Sequence, residues 1–169
     1  MRRPVPVQPG PGQESVWDYP RPPRLERRSE HVEVWLGGRL VAATGAPLRV
    51  LETSHPPTYY LPISCFVEGA LRPAAGASLC EWKGRAAYVD VLGGDLGGDV
   101  LAPQAGWYYP EPTRPFAGIA GHVALYPGAM QRCTLDGEEV RAQPGGFYGG
   151  WVTSRVVGPF KGDPGTMSW

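Results

Sequence analysis

Proline and glycine fall so densely along this chain that no long helix fits between them. There are 24 glycines and 20 prolines in 169 residues, about a quarter of the total. Proline removes a backbone donor and restricts the residue before it. No segment longer than about 10 residues shows a helical stripe of apolar positions. A chain this rich in breakers approaches a disordered composition, but 6 Trp, 8 Tyr and 4 Phe are too many for a solvated coil. The pattern therefore predicts an all-β fold, mainly antiparallel, with many short strands, tight turns and little helix.

The length suits one domain with a core. Residues 1–14, rich in Pro, Gly and Gln, read as a flexible arm. Residues 15–143 read as a single β domain. Residues 144–169 read as a Gly/Pro/aromatic-rich tail docked on it through Phe147, Tyr148, Trp151, Phe160 and Trp169. Trp17 and Tyr19 read as anchors of a proline-rich segment lying extended across the surface. Residues 31–36 alternate polar and apolar, and Gly37-Gly38 predicts a hairpin into residues 39–43. Asp136-Gly137 predicts a second hairpin with a type I′ turn. Residues 77–82 and 86–92 read as strands. Residues 72–76 read as a turn and residues 93–99 as a flexible loop.

Charge and cysteine usage exclude several classes. Sixteen Lys and Arg balance sixteen Asp and Glu, so nothing recruits nucleic acid or an anionic membrane. No apolar run approaches the ~20 residues that span a bilayer. The start of the chain lacks the apolar core of a signal peptide. Three widely spaced cysteines make no disulfide framework. The expected setting is reduced and cytoplasmic.

The richest stretch is residues 47–62, which gather Arg49, Glu52, His55, Tyr59 and Tyr60 around a Pro56-Pro57 bend. Period two places Arg49, Leu51 and Thr53 on one face of a strand and Leu48, Val50 and Glu52 on the other. Neither face is purely polar, so the charged groups need partners. Arg49 suits clamping of a carboxylate or phosphate, with Glu52 orienting it or taking a proton; a structural ion pair between them is the plainer alternative. Lys83 beside Trp82 can bind an anion or act as base or nucleophile. His122 reads either as a catalytic imidazole or as a satisfied core histidine. His55 reads as a turn residue. Tyr59-Tyr60 and Trp107-Tyr108-Tyr109 can stack a planar ligand or pack on each other. No Cys-x-x-Cys pair, phosphate loop, dinucleotide fingerprint or nucleophile elbow occurs, so no metal and no cofactor are expected.

Two segments echo each other. Trp17-Asp-Tyr-Pro-Arg-Pro22 matches Trp107-Tyr-Tyr-Pro-Glu-Pro112, and His31 and His122 follow at nearly the same offset. This suggests an internal pseudo-repeat of two β units, with chance recurrence as the alternative.

Four strings occur in order: the run from Arg49 to Pro62, Cys80 to Tyr88, Trp107 to Pro112 and Ile119 to Tyr126. Together they resemble the domain of unknown function 427 family over residues 32–140. The resemblance implies compact β-tent-like sheets and brings a nucleotidyltransferase-like label, without an established activity. Zinc-binding β-tent relatives carry Cys-x-x-Cys knuckles, and Lys83 stands where Cys80 would need its partner. By the same resemblance Arg49, Glu52, Tyr60, Lys83, Tyr88, Trp107 and His122 line one pocket. The favoured reading is a small-molecule-binding β domain, or an enzyme acting on an anionic small molecule. Arg49, Tyr60, Tyr88 and Trp107 would hold the ligand, and Glu52, Lys83 and His122 would do the chemistry. The alternative is a non-catalytic interaction or structural module forming a homodimer through its Trp-x-Tyr-Pro-x-Pro arms. A nucleotidyltransferase is the weaker option, because paired carboxylates for magnesium are missing.

Overall fold

The computed structural model describes residues 3–169. Its strands run β1 (Glu14–Ser15), β2 (Arg24–Arg27), β3 (Val32–Leu36), β4 (Arg39–Thr44), β5 (Leu48–Leu51), β6 (Thr58–Pro62), β7 (Leu71–Cys80) and β8 (Gly84–Asp95). They continue as β9 (Gly98–Tyr108), β10 (His122–Leu125), β11 (Arg132–Leu135), β12 (Glu138–Glu139), β13 (Arg141–Ala142), β14 (Trp151–Val152) and β15 (Val156–Val157). The helical turns are short 3-10 segments, such as Val16–Asp18 and Arg114–Ile119. Among the described residues, no helix is long and apolar enough to cross a membrane.

Two antiparallel sheets dominate. A seven-stranded curled sheet has the order β2-β5-β6-β10-β9-β8-β7, and a four-stranded sheet has the order β12-β11-β3-β4. Alternation decides what lies between them. Val32, Val34 and Leu36 of β3 meet Tyr59 and Leu61 of β6, Val89 and Val91 of β8, and Val123 and Leu125 of β10. The intervening residues point to the other face of the large sheet, where Val50, Tyr60 and Ala124 pack with Tyr109, Phe116 and Ile119.

Both predicted hairpins form. Gly37 and Gly38 have φ of 60° and 83°, and Asp136 and Gly137 have φ of 48° and 83°. Positive φ at both central positions is what a type I′ turn requires. Two expectations are corrected. Residues 72–76 do not reverse the chain; they lie within β7, where the register against β8 shifts between Pro73 and Ala77. Their breaker residues produce a bulge. Residues 93–99 are not a flexible loop either. Gly93 pairs with Val100, Gly94 with Asp99 and Asp95 with Gly98. A Cβ on Gly93 would collide with Leu36, and one on Gly37 would collide with Gly94. These glycines let two hairpin tips touch.

The echo segments take different local structures. Trp17 lies in a 3-10 turn, whereas Trp107 lies on β9. His31 precedes a strand of the small sheet, and His122 opens a strand of the large one. Nothing in this placement makes them a structural repeat.

The two ends of the chain meet. β1 pairs in parallel with β15. Val7 N donates to Gly158 O at 2.8 Å, and Gln13 Nε2 donates to Ser154 O at 2.8 Å. The arm expected to be mobile is therefore tied down at these points. Trp17 and Tyr19 are buried with Leu51 and Val156, and Phe160 and Trp169 pack against them. Trp151 anchors the tail: it is 1% exposed, and its indole donates to Leu125 O at 3.1 Å.

Arg49 is the charged residue buried at this junction, with its side chain 5% exposed. Its Nη1 and Nη2 donate to the two carboxylate oxygens of Glu14 at 2.9 and 3.2 Å. Its Nε donates to Glu26 at 2.8 Å. Burial alone would lower its pKa, but the hydrogen bonds it donates to Glu14 and Glu26 raise it. The carboxylates left without Arg49 are half-exposed, Glu14 at 46% and Glu26 at 26%, so water screens them and the loss is that of charged hydrogen bonds, about 2 kcal/mol. Arg49→Met should therefore lower the unfolding free energy by about that amount in urea denaturation. Arg49→Lys should recover only part, because an ammonium cannot fork to two carboxylates. A loss below about 1 kcal/mol for Arg49→Met would show that the network contributes no more than a surface ion pair.

Candidate functional site

One rung of the large sheet organises the site. Tyr60 on β6 stands opposite Ala124 on β10, Ala124 opposite Trp107 on β9, and Trp107 opposite Tyr88 on β8. Cross-strand partners share a face, so three large rings and one methyl group line up. Beside the small Ala124, the Trp107 indole and the Tyr60 and Tyr109 hydroxyls lie close enough to interact, and Tyr109 interacts in turn with Cys80. Burial is the leading cause that raises the pKa of both tyrosines, so both stay neutral phenols.

Above this rung lies a cleft of about 550 Å³. Its floor carries Tyr60, Trp107 and Tyr88, and one end carries Glu52 and His55. The turn between β7 and β8 contributes Lys83, and the C-terminal segment contributes Tyr148 and Lys161. The turn is fixed from outside, because Thr113 N donates to Lys83 O at 3.0 Å and Thr113 Oγ1 to Trp82 O at 2.6 Å. The Lys83 ammonium sits 5.9 Å from the Tyr109 ring centre and 5.8 Å from that of Phe116. Among the described residues it forms no ion pair. Lys161 lies 5.6 Å from the Tyr148 ring centre and donates to Trp169 O at 3.3 Å.

The tail closes the cleft by close backbone approach. A Cβ on Gly149 would strike the Trp107 indole, and one on Gly150 would strike Gln143 and Pro56. Gln143, 2% exposed, locks the segment in place. Its Nε2 donates to Lys161 O at 2.7 Å and lies 3.0 Å from His55 Nδ1, while its Oε1 accepts from Gly150 N at 3.1 Å. Tyr148 stands edge-on to His55 with ring centres 4.7 Å apart.

Five of the seven expected residues thus share the cleft: Glu52, Tyr60, Lys83, Tyr88 and Trp107. Arg49 and His122 do not. Arg49 is on the opposite face of β5 from Glu52, beside a separate hollow of about 340 Å³, and its guanidinium is taken by Glu14 and Glu26. Glu52 pairs instead with Arg21 at 3.2 Å. Hence no Arg49–Glu52 pair forms. His122 lines a third hollow of about 530 Å³ with Leu25, Leu48 and Arg27, and its Nδ1 lies 3.1 Å from Ala120 O. Arg49, Lys83 and His122 therefore do not line one pocket as the resemblance implies, because alternation sends Arg49 through the sheet and His122 opens β10, beyond the rung. Sequence reasoning missed Lys161, Tyr148 and Gln143, and took His55 for a turn residue. The one available signal was the density of aromatics in the tail. Among the described residues, no three His, Cys, Asp or Glu side chains are placed to hold a metal ion.

His55 is neutral in the folded chain. Its pKa falls to about 4, first through burial and then through the charges of Lys161, Arg21 and Lys83. The unfolded chain takes up this proton near the ordinary pKa of 6.5. Between those values the unfolded state binds more protons, so the contribution of His55 to stability is lost as pH falls from 6.5 towards 4. His55→Asn keeps an acceptor for Gln143 but does not titrate. Between pH 7 and about 4.5 the wild type should lose about 2 kcal/mol more than this variant, read from urea unfolding at each pH. Parallel pH profiles for the two proteins would contradict the assignment.

Residues 24–136 match the model of a family described as a domain of unknown function, DUF427. The match covers more than half of the chain and spans β2 to the turn after β11. No curated protein matches the chain.

Proposed function

We propose a function for the cleft on one premise: the chain belongs to the DUF427 family, whose segment supplies the rung and Lys83. The cleft binds an anionic small molecule. The observation that carries this reading is the Lys83 ammonium, which faces an aromatic-lined cleft without a carboxylate partner among the described residues, with Lys161, bonded to Trp169 O, as a second positive charge on the lining. The one carboxylate there, Glu52, is offset by Arg21 at the rim. An ammonium beside aromatic faces gains a cation–π contact and still lacks a counter-ion. Pockets of this size suit metabolite-sized ligands.

The same groups favour binding over proton transfer. Glu52 is held by Arg21, and His55 Nδ1 is held by Gln143. His122 lies in another hollow. Lys83 is the lining group left for chemistry, and a single amine supports anion binding with fewer assumptions than catalysis.

Isothermal titration with benzoate, succinate and inorganic phosphate tests this reading. At least one anion should bind, with higher ionic strength weakening it. Lys83→Gln should weaken binding about tenfold without shifting the melting temperature. Binding equal in wild type and Lys83→Gln, or no binding by any of the three, would overturn the proposal.

A further inference from the structure

The class of ligand follows from what the cleft has left to offer, and it rests on the anion-binding reading above. Its polar side chains are largely spent on one another. Gln143 is held by His55, Lys161 O and Gly150 N, with both its donors used. Tyr88 Oη donates to Ser78 Oγ at 3.0 Å. Tyr60 is engaged by Trp107 and Tyr109, and Glu52 by Arg21. A sugar or other polyol entering here would lose water from its many hydroxyls and find few free acceptors, so most of them would be left unpaired. The surfaces left uncommitted are chiefly ring faces and the Lys83 ammonium, with the hydroxyls of Thr58, Tyr126 and Tyr148 at their edges. Trp107 and Tyr126 lie with ring centres 4.6 Å apart and tilted by 49°, and both line the cleft.

We propose that the ligand is an aromatic acid: a planar ring carrying one carboxylate or phosphate. The ring lies against the Trp107–Tyr126 wall, where offset or edge-on contacts add to simple burial. The anionic group meets Lys83, and Lys161 adds to the positive field. A saturated ring of the same size keeps the charge contact but loses the aromatic one. A neutral aromatic alcohol keeps the ring contact but loses the charge.

Four probes separate these contributions: benzoate, cyclohexanecarboxylate, glucose 6-phosphate and benzyl alcohol, each titrated into the full chain by calorimetry, with saturation-transfer NMR on the ligand protons. Benzoate should bind about tenfold more tightly than each of the other three. Trp107→Leu should weaken benzoate about tenfold and leave cyclohexanecarboxylate nearly unchanged. Tyr126→Leu gives a second reading if the Trp107 variant loses its β-sheet circular dichroism. Cyclohexanecarboxylate or glucose 6-phosphate binding as tightly as benzoate would overturn the aromatic assignment and leave the anion site standing. Benzyl alcohol matching benzoate would overturn both, as would the failure of all three acids to bind. Unchanged benzoate affinity in the folded variants would overturn the placement of the ring.

Discussion

Side-chain alternation along β5 and β6 is the constraint on which the rest depends. Adjacent residues in these strands serve different parts of the molecule. Tyr59 enters the core between the sheets, and Tyr60 forms the floor of the cleft. Arg49 goes to the ion network that receives the N-terminal segment, whereas Val50 and Glu52 line the cleft. A slip of one residue in this hairpin would send Arg49 into the aromatic floor and Tyr60 into the charged junction. Such a slip is costly in both directions, since it buries an unpaired cation and turns apolar rings towards carboxylates.

Local chemistry made much of the fold legible. Gly37-Gly38 and Asp136-Gly137 announce their hairpins because glycine, and aspartate next to it, meet the positive φ of a type I′ turn at lower cost than most residues. The absence of long helices follows from the proline spacing. The bulge in β7 and the glycine-rich strand ends of β8 and β9 were misread, because glycine there answers a distant neighbour. Leu36 and Gly37 lie more than fifty residues from Gly93 and Gly94, and no local pattern records the contact.

The site was legible in its motifs and illegible in its pairings. Tyr60, Tyr88 and Trp107 were found as rich strings, but only the register of four strands shows that they share a rung. Arg49 and Glu52 looked like partners because they are three residues apart. An extended backbone turns them to opposite faces, and each finds its counter-charge elsewhere. Arg49 takes Glu14, from a segment that read as a loose arm. Glu52 takes Arg21, from the proline-rich segment that read as lying extended across the surface. Charge pairing across tens of residues is decided by tertiary packing, and sequence proximity misleads about it.

The cleft draws on two parts of the chain with different standing. Its floor and Lys83 come from the segment matching DUF427, and its outer wall comes from residues 143–161, beyond that match. Gly149 holds the wall against the indole, and Gln143 clasps it from behind. On the anion-binding reading proposed above, the division makes selectivity modular. A homologue that kept the sheet but replaced the last thirty or so residues would retain an aromatic shelf and its amine while redrawing the roof, and so inherit a preference for charge without inheriting a preference for shape.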